Sequence, residues 1–212
     1  MRDKGDLYNV VSSTFGTISG VVVVIRLWSK FITDSSFWYD DLFVVITLFS
    51  GIPGSVLNVH GLTANGLGKD IWNVSFKQIT DFIHVFYVME ILYFAQVALL
   101  KISILFFYLR IFPGTGIRQL IWMTIAFNAM FGTTFFFLAI FQCQPISFYW
   151  KRWDGEHQGK CYDVNAMAFG NAGISIVLDV WMLGLALSQI IHINLHWRRK
   201  VGVAFMFSVG TL

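Results

Sequence analysis

The sequence predicts an all-α, polytopic transmembrane helix bundle with five full helices and a partial sixth. Three observations predict it. Residues AVILMFWYC make up 56% of the 212-residue chain and charged residues only 13%, against about 25% charged in ordinary soluble proteins. Phe occurs 22 times, and a globule of this size has too little interior to hide so much apolar surface from water. The apolar residues also fall in five long runs, each near or above the roughly 20 residues that a helix needs to cross a bilayer.

The first run, residues 7–25, holds no charge, and Arg26 closes it. It has the length of a spanning helix and lacks a small-residue cleavage site, so it does not read as a cleavable signal. The second, residues 42–61, opens on Asp40 and Asp41, and Pro53 between Gly51 and Gly54 predicts a kink. The third, residues 82–109, carries Glu90 and Lys101. The fourth, residues 119–142, belongs to a stretch from Gln119 to Trp150 with no charged residue. The fifth, residues 164–191, carries Asp179. A sixth run occupies residues 201–212. As a helix it would reach only about 18 Å, too short to span, and the chain reads as a fragment. The whole chain, residues 1–212, is expected to be one transmembrane domain. A soluble core helix would keep a polar stripe, and a β-barrel would show short alternating segments; neither pattern is present.

Alternation sorts the loops into two sets. One holds the N-terminus, residues 62–81 and residues 143–163; the other holds residues 26–41, 110–118 and 192–200. Lys and Arg are shared equally between them, so charge counting does not orient the chain. The tight cluster Arg198-Arg199-Lys200 favours the second set as cytoplasmic. Both cysteines, Cys143 and Cys161, lie in one loop of the first set, where an oxidising compartment would let them pair. The sequon Asn73-Val74-Ser75, with Asn73 as acceptor, lies in that set too. The N-terminus is therefore expected outside, with the protein in the plasma membrane. A chance sequon and two reduced cysteines are the plainer alternatives.

Several strings, taken in order, resemble the fungal rhodopsin-like membrane family. They are Asp40-Asp41 before the second helix, Gly66-Leu67-Gly68-Lys69-Asp70 in the next loop, and the run from Lys101 to Phe112 (KISILFFYLRIF). Phe141-Gln142-Cys143-Gln144-Pro145 followed by Trp153 and Cys161, then Asp179, then Arg199-Lys200 complete the set. The resemblance covers nearly the whole chain. It implies a seven-helix fold and a receptor-like role related to appressorium signalling, and many members occur beside secondary-metabolite genes. This chain departs from the pattern by ending where the sixth helix begins, and it lacks the cysteine-rich extracellular domain of some members.

Ionisable groups in lipid are expensive and ask for partners. Glu90 and Lys101 are eleven residues apart, which puts them on one helix face but roughly 16 Å apart in height, too far to pair. Lys101 and Asp179 lie at similar depths, counted from the cytoplasmic ends of their helices, and carry opposite charges. They form the preferred pair, as fold glue or as a switch. Asp41 competes for Lys101 if that side chain snorkels toward the cytoplasm. Asp40 and Asp41 read first as helix caps favoured by the macrodipole, and second as partner contacts. Arg110 marks either the lipid surface or a partner site. Gly16 and Gly20 form a G-x-x-x-G suited to close helix packing. Trp28, Trp38, Trp72, Trp150 and Trp153 sit where interfacial aromatics belong.

No phosphate loop, serine-hydrolase elbow, zinc-protease helix or dinucleotide fingerprint is present, so no enzyme and no cofactor are expected. His192 and His196 make half a zinc site, and no third ligand accompanies them, so no metal is expected. Lys101 is the one lysine within the expected spans and lies in the third, not a late helix, so no retinal is expected. No long basic run suggests nucleic acid. The leading functional reading is a receptor-like sensor. Its partners are the lipid bilayer, an extracellular small-molecule ligand and a cytoplasmic signalling protein. The alternative is a membrane component or transporter accessory of a secondary-metabolite pathway.

Overall fold

The computed structural model describes residues 5–32, 39–63, 67 and 74–192, without the side chains of residues 5–8, 63 and 190–192. The partial sixth helix over residues 201–212, the acceptor Asn73, and Arg198, Arg199, Lys200, His196, Trp38 and Trp72 lie outside the described residues, as does the His192 side chain.

Five helices long and apolar enough to cross a membrane carry the fold. They are α1 (Gly5–Ile32), α2 (Tyr39–Val56, continued by a π-wound turn over Leu57–Thr63), α3 (Phe76–Ile111), α4 (Thr115–Ile140) and α6 (Val164–His192). Between α4 and α6 come a two-stranded hairpin, β1 (Cys143–Gln144) with β2 (Lys160–Cys161), and the single turn α5 (Phe148–Lys151). The protein is an integral, multi-pass, all-α bundle.

Where the boundaries differ from the sequence reading, the causes are local. Helix α1 does not stop at Arg26 but runs on to Ile32, because Arg26 and Lys30 find carboxylates on α2 and need not leave the helix to be solvated. At Pro53 the missing N–H removes one helical bond, and the winding loosens into the π turn just beyond it. Helix α3 starts at Phe76 because Ser75 and Gln78 form a capping box, each side chain bonding the other's backbone N–H. Helix α4 ends at Ile140, so Gln142, expected inside the span, belongs to the following loop.

Helix α3 is central and packs against α2, α4 and α5. Its 36 residues reach about 54 Å, well beyond the roughly 30 Å of a hydrocarbon core. Near its C-terminus, Leu105, Tyr108, Leu109 and Phe112 interdigitate with Ile117, Ile121 and Ile125 of α4 and Met182, Leu185 and Ala186 of α6. The spacing of three and four residues on each helix gives every one a single buried stripe. Further along, Gly132 of α4 meets α3 closely: a Cβ there would stand 2.5 Å from that of Ala98, the small-residue contact expected of helices in lipid. The Gly16–Gly20 motif is not used in this way. A Cβ on Gly16 would be 3.9 Å from Ser55 Oγ, and one on Gly20 would meet nothing within 4 Å. Both glycines line an open groove of about 770 Å³ between α1, α2 and α3.

Candidate functional site

The polar side chains of the bundle gather at three levels along α3. At the disulfide end, Cys143 and Cys161 face each other across the hairpin and are bonded. The loop they close folds down on the N-terminal half of α3. Gln142 Nε2 donates to Glu90 Oε2 at 3.1 Å and the Tyr149 hydroxyl donates to the same oxygen at 3.2 Å. The Tyr87 hydroxyl donates to the Ile140 carbonyl at 2.8 Å, which caps the end of α4. Aromatic contacts widen the seam: Trp150 lies against His84 and Tyr87, and Trp153 stacks on Phe76 while its indole N–H donates to Thr80. Trp150 and Trp153 thus tie the loop to α3. Burial pushes the Tyr149 hydroxyl above its ordinary range, and the charge and hydrogen bond of Glu90 add to the shift. Tyr149 therefore remains a donor throughout the physiological range.

Glu90 was expected among the intramembrane polar residues of the third helix. Its partner Gln142 follows the last residue of α4 by two positions, so Glu90 sits level with the end of a spanning helix. The long α3 explains the offset, since about 20 residues separate Glu90 from the opposite end, enough to use up the hydrocarbon thickness.

At the middle level, Lys101 Nζ stands 3.1 Å from Asp179 Oδ1. It also donates to the backbone carbonyl and hydroxyl of Ser175 at 2.9 and 2.6 Å. All three ammonium hydrogens are thereby placed. The competing partner, Asp41, is engaged elsewhere. Asn128 of α4 donates to the Ala98 carbonyl at 3.1 Å, one turn from Lys101.

At the third level Asp40 and Asp41, expected first as helix caps and second as partner contacts, meet cations. Both lie in the first turn of α2, where the macrodipole favours them, but they are only 1% and 2% exposed and are held by cations. Arg26 Nη2 is 2.9 Å from Asp40 Oδ2, Lys30 contacts both carboxylates, and Arg110 Nη1 is 3.8 Å from Asp40. The guanidinium of Arg26 also lies over the Phe107 ring at 5.6 Å, and the Ser103 hydroxyl donates to the Asp40 carbonyl. Arg110 thus belongs to a three-helix cluster joining α1, α2 and α3. Nearby, Arg118 donates to the Leu109 carbonyl and covers one of the last carbonyls of α3.

Sequence reasoning missed Arg26 and Lys30 as partners, Gln142, Tyr149 and Ser175 as ligands of the charged groups, and Tyr87 as the donor to the end of α4. Among the described residues no cluster of three or more His, Cys, Asp or Glu could hold a metal. The disulfide invites a direct measurement. Cys143→Ser should lower stability by about 3 kcal/mol, the value for a ring of this size. Reductant should produce the same loss in the parent chain and none in the variant, as read by thermal unfolding in detergent.

No solved structure matches the chain. Relatives do. A SAT4 family membrane protein of Emericella nidulans is 34% identical over 128 residues, 57% of this chain and 32% of that protein. Fugralins biosynthesis cluster protein 2 of Gibberella zeae is 27% identical over 148 residues, 66% of this chain and 36% of that protein. Wortmanamides biosynthesis cluster protein C of Talaromyces wortmannii is 28% identical over 172 residues, 80% of this chain and 45% of that protein. The chain spans between about a third and a half of the length of these relatives. The profile of the fungal rhodopsin domain matches residues 25–212, nearly nine-tenths of the sequence. With its spanning helices arranged as described, the chain belongs to the fungal rhodopsin domain family of membrane proteins.

Proposed function

We propose that the chain is part of a receptor-like sensor and not of an enzyme. In this reading it sits in the plasma membrane with its N-terminus outside, and it takes a small-molecule ligand at the disulfide end and a signalling protein at the opposite end. One observation carries the reading. A single helix, α3, anchors the disulfide loop through Glu90, the fifth span through Lys101, and the ion cluster of α1 and α2 through Arg110 and Ser103. A movement imposed on the loop has one stiff element along which to reach the far end. The disulfide supports the outward orientation, because such bonds persist in oxidising compartments. Asn73, which precedes α3 in the sequence, would then carry a glycan, and Arg199 and Lys200 would face the cytoplasm.

The test uses the full-length protein in its host. An epitope at the N-terminus should be reached by antibody on intact cells, and glycosidase should shift the mobility of the parent chain but not of Asn73→Gln. Proximity labelling from the cytoplasmic side should return a signalling protein whose recovery changes in Lys101→Met at equal surface level. An epitope reached only after permeabilisation overturns the orientation, and labelling unaffected by Lys101→Met overturns the sensor role.

The names of two relatives favour a second reading, a membrane component of a biosynthetic pathway. Deleting the gene distinguishes them. A sensor's loss should change transcripts of responsive genes, whereas a pathway component's loss should deplete a metabolite with those transcripts unchanged.

A further inference from the structure

Between α3, α4 and α6 lies a small cavity of about 10 Å³, lined by Lys101, Asn128, Asn171 and Ser175 together with Phe94 and Gly132. Asn171 is 8% exposed, and its side-chain amide makes no hydrogen bond to any described residue. An amide at spanning depth is costly without a partner. Asn128 uses one amide hydrogen on the Ala98 carbonyl, which leaves its second hydrogen and its oxygen available. The Ser175 hydroxyl accepts from Lys101 and still has a hydrogen to give. Lys101 has no hydrogen to spare, because its three go to Ser175 and Asp179.

We infer that this cavity binds one ordered water molecule, held by Asn171, Asn128 and Ser175. The volume matches about one water, and a buried water needs two to four polar partners, which these three side chains supply. Anything larger than water does not fit. The water satisfies the Asn171 amide, and it extends the Lys101–Asp179 pair into a hydrogen-bonded network that reaches α4. The three helices that share the apolar core near the other end are thereby also joined by polar groups at mid-span.

Radiolytic footprinting of the full chain in detergent tests the site, because hydroxyl radicals formed from a bound water oxidise the side chains beside it. Phe94 lines the cavity and is 7% exposed, while Phe112 in the apolar core is 2% exposed. Phe94 should be oxidised several-fold more than Phe112, and Asn171→Leu, which fills the space and removes the amide, should bring Phe94 down to the Phe112 level. A Phe94 no more reactive than Phe112 overturns the inference, as does reactivity unchanged in a folded Asn171→Leu. If that variant does not fold, Asn171→Val takes its place with the same two outcomes.

Discussion

Asp179→Leu should lower the free energy of unfolding by about 3–5 kcal/mol, the range for a buried charge that loses its partner. Lys101 is 7% exposed and has no other carboxylate within reach among the described residues. The reverse change, Lys101→Met, should cost less. The Asp179 side chain is 47% exposed and can turn away from the site once its cation is gone. The double variant Lys101→Met with Asp179→Leu should recover most of the loss, since a buried pair replaced by apolar groups of similar volume is often neutral. Unfolding of the four proteins in mixed micelles with denaturant gives the cycle. Equal costs for the two single variants would show that Asp179 is as confined as Lys101, contrary to the structure. A double variant no better than Asp179→Leu would show that the lost stability comes from the helix contact and not from the charges.

The second large effect belongs to the charged end. Asp40→Asn with Asp41→Asn should destabilise the chain by about 2–3 kcal/mol, below the full value for a buried pair because the cations keep contact with solvent. Arg26, Lys30 and Arg110 retain 35%, 15% and 29% of their side-chain exposure. They would be left as three like charges at the junction of α1, α2 and α3. The expected structural signature is local. Spin labels at the ends of α1 and α2 should move apart, while labels at the disulfide end keep their distance. A uniform change at both ends would mean that the carboxylates support the whole bundle.

The spans were legible because crossing a bilayer is a matter of local length and polarity, and five runs satisfied it without reference to each other. The start of α3 is equally local: the Ser75–Gln78 capping box sets it six residues ahead of the apolar run that opens at residue 82. Lys101 and Asp179 could be matched by depth, because an ionisable group in lipid must be answered at its own level. The cations that hold Asp40 and Asp41 could not be read from the chain alone. Arg26 and Lys30 looked like the polar end of α1, and only the continuation of that helix lays them beside α2. The ligands of Glu90 were hidden for another reason. Gln142 and Tyr149 are neutral residues with no diagnostic spacing, and the loop brings them to Glu90 only after it has folded back on α3. Asn128 and Asn171 did leave a signal. An amide within an apolar span is expensive and needs a partner as the charges do.

The separation of Lys101 from Asp179 along the chain sets an order of events during synthesis. The third span leaves the ribosome well before the fifth, with the whole of α4 and the disulfide loop still to come between them. During that interval its lysine has no carboxylate at its own depth. The long side chain can reach toward the headgroups in the meantime, so α3 would enter the bilayer shallowly or wait beside the insertion machinery. Arrival of α6 supplies Asp179 and Ser175 together and draws the ammonium to its final level. The fifth span thus supplies the charge that answers Lys101, and a chain interrupted before α6 would lack it.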